Sequence, residues 1–224
     1  MICLINEILP SKKQPVYVAV SMGVDSVAAF FYLVNRGYSV RAIHFNHNLR
    51  DQNDEMQKNF NELFRGYYHF SNTVQPNTHS SKTENDCRQD RLNFFKEKCN
   101  SENPKIIISA HHLDDYQESY LMNCFRGHPE YKPMNLISDF SSFKIIHPFL
   151  LTEKKDLVQF VDRYDNGKLK KYIVKDETND VIKGSRRNWI RNIIVPEMTN
   201  VKISLKKHCK ELINNSIKDI SNGC

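Results

Sequence analysis

An apolar run from Val16 to Val20 stops abruptly at Ser21-Met22-Gly23-Val24-Asp25-Ser26. A helical pattern follows at once, with Val27, Phe30, Phe31 and Val34 at helix spacing. A strand, a tight polar turn and a helix form a cradle for phosphate. The first N–H groups of a helix have no carbonyl partner, and the dipole favours an anion in front of them. Ser21 and Ser26 can donate hydroxyl hydrogen bonds, and Gly23 lets the backbone approach a phosphate closely. Asp25 is out of place beside a phosphate unless Mg²⁺ lies between them, an ion that prefers carboxylate plus phosphate oxygens. The turn lacks the Gly-Lys-Ser/Thr of a Walker loop and the three glycines of a dinucleotide fingerprint. Taken alone, the stretch also fits a plain strand–turn–helix with Asp25 or Ser26 as the helix cap.

The pattern repeats. Ser39–Phe45, after the helix stop at Gly37, reads as a second strand, and a polar helical stretch runs to Phe64. Tyr67–Val74 reads as a third strand, Gln75–Thr83 as a loop, Glu84–Cys99 as a helix and Lys105–Ser109 as a short apolar strand. Leu113, Tyr116, Tyr120, Leu121 and Cys124 form a helical stripe, and Gly127–Asn135 is a loop. Phe143–Leu151 reads as a strand broken at Pro148, Glu153–Tyr164 as a helix, Asn166-Gly167 as a turn and Tyr172–Val174 as a short strand. A basic helix around Arg186–Asn192 should end at Pro196. Val201, Leu205, Leu212, Ile213 and Ile217 mark an amphipathic closing helix. Strands alternating with helices imply an α/β fold with a doubly wound parallel sheet and a small helical C-terminal extension. Ligands bind such sheets beyond the carboxyl ends of the strands. The Ser21 loop, the His44-Phe45-Asn46-His47-Asn48-Leu49-Arg50 segment and the segment after Ser109 should therefore converge.

That last segment is Ala110-His111-His112-Leu113-Asp114-Asp115-Tyr116-Gln117-Glu118. Asp114 and Asp115 are four and three residues before Glu118, on neighbouring ground at a helix N-terminus. These acids and histidines could hold Mg²⁺, grip an ammonium group or move a proton. They could equally be an acidic first turn with one capping Asp. Adjacent histidines rarely face one ion together, so zinc is disfavoured. Arg88 and Arg91 are three apart, and Arg187 and Arg191 four apart with Asn188 and Trp189 between them. An arginine pair beside Asn and Trp is a better phosphate or base binder than lysines would be. A basic exposed helix face is the plainer reading.

Charge supports the first of these. The net charge is +6, yet residues 163–210 alone hold 13 Lys/Arg against 5 Asp/Glu, a net +8. A basic C-terminal third points to a polyanion, most simply nucleic acid. The six cysteines are scattered with no CxxC, which argues against zinc and iron–sulfur sites and for reduced thiols in the cytoplasm. No apolar run approaches a membrane span, and the N-terminal MICLINEILPSKK reads as a packed helical turn, not a signal peptide. A homodimer is allowed by the sequence.

Five blocks now stand in one order: SMGVDS, HFNHNLR, ENDCRQDRLNFF, SAHHLDDYQES and DETND…RRNWIRNIIVP. Together, from about Val16 to about Pro196, they resemble the catalytic domain of the tRNA(Ile)-lysidine synthetase family of PP-loop N-type ATP pyrophosphatases. The resemblance implies ATP and Mg²⁺ as cofactors, L-lysine and a tRNA(Ile) with a CAU anticodon as partners, and no membrane. It implies that ATP adenylates C2 of the wobble cytidine and that the lysine amine then displaces AMP. Residues 1–150 would be the ATP-binding catalytic domain. Residues 151–224 would be a basic, tRNA-facing part of the same unit, without separate C-terminal tRNA-binding domains.

The same resemblance assigns roles. Ser21, Met22, Gly23, Val24, Asp25, Ser26, His44, Asn46, His47 and Arg50 would bind ATP, with Asp25 and Asp115 on Mg²⁺. Asp25, His111, Asp115, Glu118 and Arg187 would be catalytic, the carboxylate pair holding the lysine ammonium. Arg88, Arg91, Arg126, Arg187, Asn188 and Arg191 would hold tRNA. Met22 departs from the family's loop glycine, and His147 stands where the family usually has an arginine. Two alternatives stay open: a PP-loop adenylating enzyme with another acceptor, and a non-catalytic RNA-binding remnant.

Overall fold

The computed structural model describes residues 1–47, 52–73, 84–101, 104–175 and 185–223. Strands β1 (Val16–Ala19), β2 (Val40–Asn46), β3 (His69–Thr73), β4 (Ile106–Ile108), β5 (Ile137–Phe140) and β6 (Phe143–Ile146) form one sheet in the order β3-β2-β1-β4-β6-β5. All neighbours are parallel except β5 and β6, an antiparallel edge hairpin. In β1 alternate side chains face opposite sides: Val16 and Val18 enter one apolar cluster and Tyr17 the other. Helices therefore cover both faces, and the continuous apolar run of β1 is what a central parallel strand needs.

Helix α1 (Val24–Asn35) buries Val27, Phe30, Phe31 and Leu33 against that first face. Phe30 meets Phe31, Phe64 and Tyr67 edge-on, with ring centroids 5.2, 4.7 and 5.2 Å apart. This joins α1 to the turn that follows α2 (Gln52–Leu63). Helix α3 (Glu84–Ser101) covers the opposite face with Phe94, Phe95 and Cys99. Helices α4 (Leu113–Phe125), α5 (Lys154–Arg163) and α8 (Lys206–Ser221) add Leu113, Leu157, Val161, Cys209 and Ile213 to the first core. Between α5 and α8 lie α6 (Arg186–Trp189), a π-helical turn (Ile190–Ile194) and α7 (Val195–Asn200). Among the described residues no helix is long and apolar enough to cross a membrane.

Five segments differ from the sequence reading. Strand β5 went unread because Ser138 and Asp139 break its apolar run, as an exposed edge strand permits. The strand expected from Phe143 stops at Ile146, and Tyr172–Val174 pairs with no strand among the described residues. The latter runs from a 3-10 segment (Tyr164–Tyr172) into extended chain, where the Val174 N–H donates to the Met22 carbonyl at 3.0 Å. The basic helix does not end at Pro196. The wider π turn before it relieves the clash a proline ring makes with the carbonyl four residues back, so the coil continues as α7. The closing helix begins at Lys206, leaving Val201 and Ile203 exposed before it. The Asn166-Gly167 turn is present, with φ positive at Asp165, Asn166 and Gly167.

His147, just past β6, is 7% exposed, and its ring centroid lies 5.2 Å from that of His111. Burial, and then the neighbouring His111, push its pKa down to about 4. Unfolded, it titrates near 6.5, so between those values the unfolded chain binds more protons and stability rises with pH. His147→Asn should remove about 2–3 kcal/mol of the stability lost between pH 7 and pH 4.5. Urea unfolding at the two pH values checks this, and equal losses in both chains would contradict it.

Candidate active site at the carboxyl edge of the sheet

The strand order reverses direction between β1 and β4, the position where open α/β sheets place ligands. A cleft of about 690 Å³ opens there. Its walls come from the ends of β1, β2 and β4, the start of α5, and the segments around Val174 and Arg191.

The Ser21–Ser26 turn is held from within. Ser26 Oγ accepts the Ser21 N–H at 3.1 Å and donates to the Gly23 carbonyl at 3.0 Å, and the two hydroxyls are 3.2 Å apart. Gly23 is extended (φ −72°) and caps α1, so Val24, Asp25 and Ser26 occupy the first turn, facing the cleft with the helix's unpaired N–H groups. The left-handed residue is Met22, at φ 64°, and its side chain is fully buried. Asp25 Oδ2 lies 3.6 Å from both His112 Nε2 and Lys154 Nζ. Its Oδ1 is buried with no hydrogen-bond partner. An orphaned carboxylate oxygen beside a phosphate-type cradle fits one protein ligand to Mg²⁺, which needs only one or two carboxylates when phosphates supply the rest. Among the described residues no group of three or more His, Cys, Asp or Glu could hold a metal by itself.

Helix α4 begins with a reciprocal cap. The His112 N–H donates to Asp115 Oδ2 at 3.1 Å, and His112 Nδ1 accepts the Asp115 N–H at 3.4 Å. That cap leaves the His112 proton on Nε2, facing Asp25 and Asp115. Burial opposes a charged imidazole at His112, but the carboxylates of Asp25, Asp115 and Asp114 outweigh it and raise the pKa. Burial likewise opposes the Asp115 carboxylate, yet His112, His111 and Arg187 hold its pKa low. His111 is different. Its Nδ1 lies 2.6 Å from Ser109 Oγ, and burial lowers its pKa despite Asp115, which favours the neutral ring.

Glu118, one turn on, is 4% exposed. Arg191 grips it with two bonds, Nε to Oε1 at 2.6 Å and Nη2 to Oε2 at 2.8 Å. Arg187 Nε reaches Oε2 at 2.8 Å, and its Nη2 reaches Asp115 Oδ1 at 3.3 Å. The four-residue spacing that puts both guanidiniums on one face thus aims that face at α4. Asp115, with His112 on one oxygen and Arg187 on the other, links Glu118 to Asp25 through a continuous run of polar and charged groups. Asp114 turns away, accepting from Lys154 N at 2.8 Å and Lys206 Nζ at 3.2 Å, so that it ties α5 and α8 to α4.

The structure brings together Ser21, Gly23, Val24, Asp25, Ser26, His44, Asn46, His47, Arg91, His111, Asp115 and Arg191 along the cleft. Glu118, Arg187 and Asn188 stand behind its wall. His44 is buried, and this lowers its pKa; Nδ1 lies 2.6 Å from the Val20 carbonyl, while Nε2 has no partner. Met22 points into the core beneath the loop, not into the cleft. Arg88 is exposed and does not line the cleft, and Arg126 is exposed at the far end of α4. Arg50 and the Asp176–Asp180 block lie outside the described residues. Sequence reasoning missed Lys154, Ser109 and Asn192. Lys154 was legible: β6 runs parallel to β4, so the chain after it must also emerge at the cleft edge.

The PP-loop domain family matches residues 3–198. The chain is 29% identical over 204 residues to a tRNA(Ile)-lysidine synthase of Staphylococcus aureus, covering 84% of this chain and 46% of that protein. It is 30% identical over 192 residues to the tRNA(Ile)-lysidine synthase of Aster yellows witches'-broom phytoplasma, covering 82% and 41%. The chain thus spans less than half the length of these curated relatives. In fold it is similar to a U34-tRNA thiolase from Methanococcus maripaludis, with a TM-score of 0.68 at 13% identity, covering 96% of this chain and 76% of that one. It is also similar to an NMN synthetase from Francisella tularensis, with a TM-score of 0.52 at 15% identity, covering 93% and 85%. With 196 of its 224 residues matched, the chain belongs to the PP-loop domain family.

Proposed function

We propose that this domain carries out the ligase reaction of a tRNA(Ile)-lysidine synthase, in the cytoplasm, on a tRNA(Ile) with a CAU anticodon. The observation that carries the reading is the convergence, in one cleft, of the Ser21–Ser26 cradle and the His111–Glu118 segment braced by Arg187 and Arg191. The likeness to curated lysidine synthases over four-fifths of the chain supports it.

In this reading the C2 oxygen of the wobble cytidine attacks the α-phosphorus of ATP and pyrophosphate leaves. The lysine amine then bonds to C2, the C2–O bond breaks, AMP departs and the nitrogen loses a proton. The turn from Ser21 to Ser26 holds the phosphates through its N–H groups and hydroxyls. Asp25 would hold Mg²⁺, which supplies charge neutralisation for the leaving pyrophosphate when bound. Asp115 would have to release His112 or Arg187 to join it, so Asp25 is the stronger metal ligand. Lys154 stands beside the same phosphates. The neutral His111 takes the proton from the attacking amine, because burial keeps its lone pair available near pH 7. Asp115 and Glu118, the first shared between His112 and Arg187 and the second held by both guanidiniums, keep Arg187 and Arg191 at the wall where the RNA backbone and the activated base enter. The lysine ammonium therefore gains no direct seat on that carboxylate pair while both arginines are in place.

Radiolabelled lysine should enter an RNA transcript carrying a CAU anticodon, with ATP and Mg²⁺, and should not enter transcripts differing at the wobble base. No label in folded protein would overturn the assignment, and ATP use on the RNA without label would move it to another acceptor. Asp25→Ala should lower ATP turnover by about a hundredfold or more, as loss of a metal or electrostatic partner typically does; unchanged turnover would remove Asp25 from the phosphate site. Glu118→Gln leaves two guanidiniums facing a neutral amide. It should cost about 1–3 kcal/mol in urea unfolding and lower RNA affinity together with turnover. A variant of wild-type stability would show that the grip contributes nothing.

A further inference from the structure

Phe125 and Trp189 are large, aromatic and exposed, at 57% and 39%, and they touch each other with ring centroids 5.6 Å apart and an interplanar angle of 49°. Such a pair in water calls for an occupant. Its position narrows the choice. Trp189 lies between Arg187 and Arg191, the two residues clamped on Glu118, and the buried Ile190 next to it fixes the backbone below. Phe125 is seven residues beyond Glu118 on α4, about 10 Å along the helix axis. The rings thus stand outside the cleft, at the far end of α4 and on the segment that carries Arg187 and Arg191, on the two elements joined by the Glu118 clamp. Each has an exposed arginine near it in sequence, Arg126 beside Phe125 and Arg186 three residues before Trp189. The stretch from 163 to 210 carries a net +8.

We propose that Phe125 and Trp189 form a stacking platform for an unpaired nucleobase next to the one that enters the cleft. The proposal rests on the reading that the substrate is a tRNA anticodon loop. A base drawn into a pocket leaves its stack, so its neighbour presents a bare π-face beside the entrance. Aromatic rings flanked by guanidiniums suit that face and the phosphates next to it, through stacking and charge together. A protein partner or a second copy of this chain would gain from the rings but not from the surrounding positive charge.

Trp189 is the single tryptophan of the chain, so its fluorescence reports this position alone. The probe is an anticodon stem–loop RNA with a CAU loop, followed by RNA anisotropy and by tryptophan emission. Saturable quenching should follow the same binding curve as the anisotropy, and an abasic nucleotide beside the wobble position should abolish it. Trp189→Ala should weaken binding about tenfold and Trp189→Phe about twofold, which separates stacking from a folding defect. Binding with unchanged emission, and equal affinity for Trp189→Ala, would overturn the platform and leave the tRNA reading standing. Absence of any RNA binding by the wild-type chain would overturn both. A shift from dimer to monomer in sedimentation on Trp189→Ala would overturn the platform in favour of a second copy as the occupant.

Discussion

Glu118 is a nearly buried carboxylate held by two arginines from a different part of the chain, and the architecture of the cleft depends on that grip. Removing a carboxylate from water costs several kcal/mol unless charged hydrogen bonds replace its hydration. Here Arg191 supplies a two-bond fork and Arg187 a third donor. The arrangement gives little net stability against an apolar replacement of the same shape, but it is demanding in geometry. It seats the turn-rich segment from Arg186 to Ile194 against α4 in one register. That segment cannot rely on an apolar face for its position, since Ile190 is its one fully buried residue. Charge, more than burial, builds this wall.

A second constraint lies under the phosphate-type loop. A left-handed backbone at a residue with a Cβ costs about 1–2 kcal/mol. Met22 adopts it, where the resemblance leads one to expect glycine. Its fully buried side chain and its carbonyl, which accepts the Val174 N–H, offset that cost. The loop keeps its backbone path while its side chain becomes part of the core. Gly23 then acts as an extended helix cap, not as the residue that turns the chain.

Much of this was legible in the sequence, for physical reasons. β1 and β4 are apolar runs because central parallel strands are buried on both faces, and α1 is strongly apolar because Ser26 to Phe31 are all buried. The ligand edge follows from strand direction alone. Other features leave no local mark. β5 is half exposed and reads as polar chain. Pro196 looks like a helix end, and only the π turn before it shows otherwise. Arg187 and Arg191 could be placed on one face by spacing, but which carboxylate they meet depends on how α6 packs on α4, and that is a tertiary fact. Asp114 and Asp115 are adjacent in sequence, yet one braces α5 and α8 while the other joins the charged run to Asp25.

The most direct test of this account is a double-mutant cycle between Glu118→Gln and Arg191→Gln, read by urea unfolding. If the grip organises the wall, the pair should be coupled by about 1–3 kcal/mol, with the double variant destabilised far less than the sum of the singles. Effects that add to within about 0.5 kcal/mol would mean that Glu118 and Arg191 are held independently, and the wall would need another explanation.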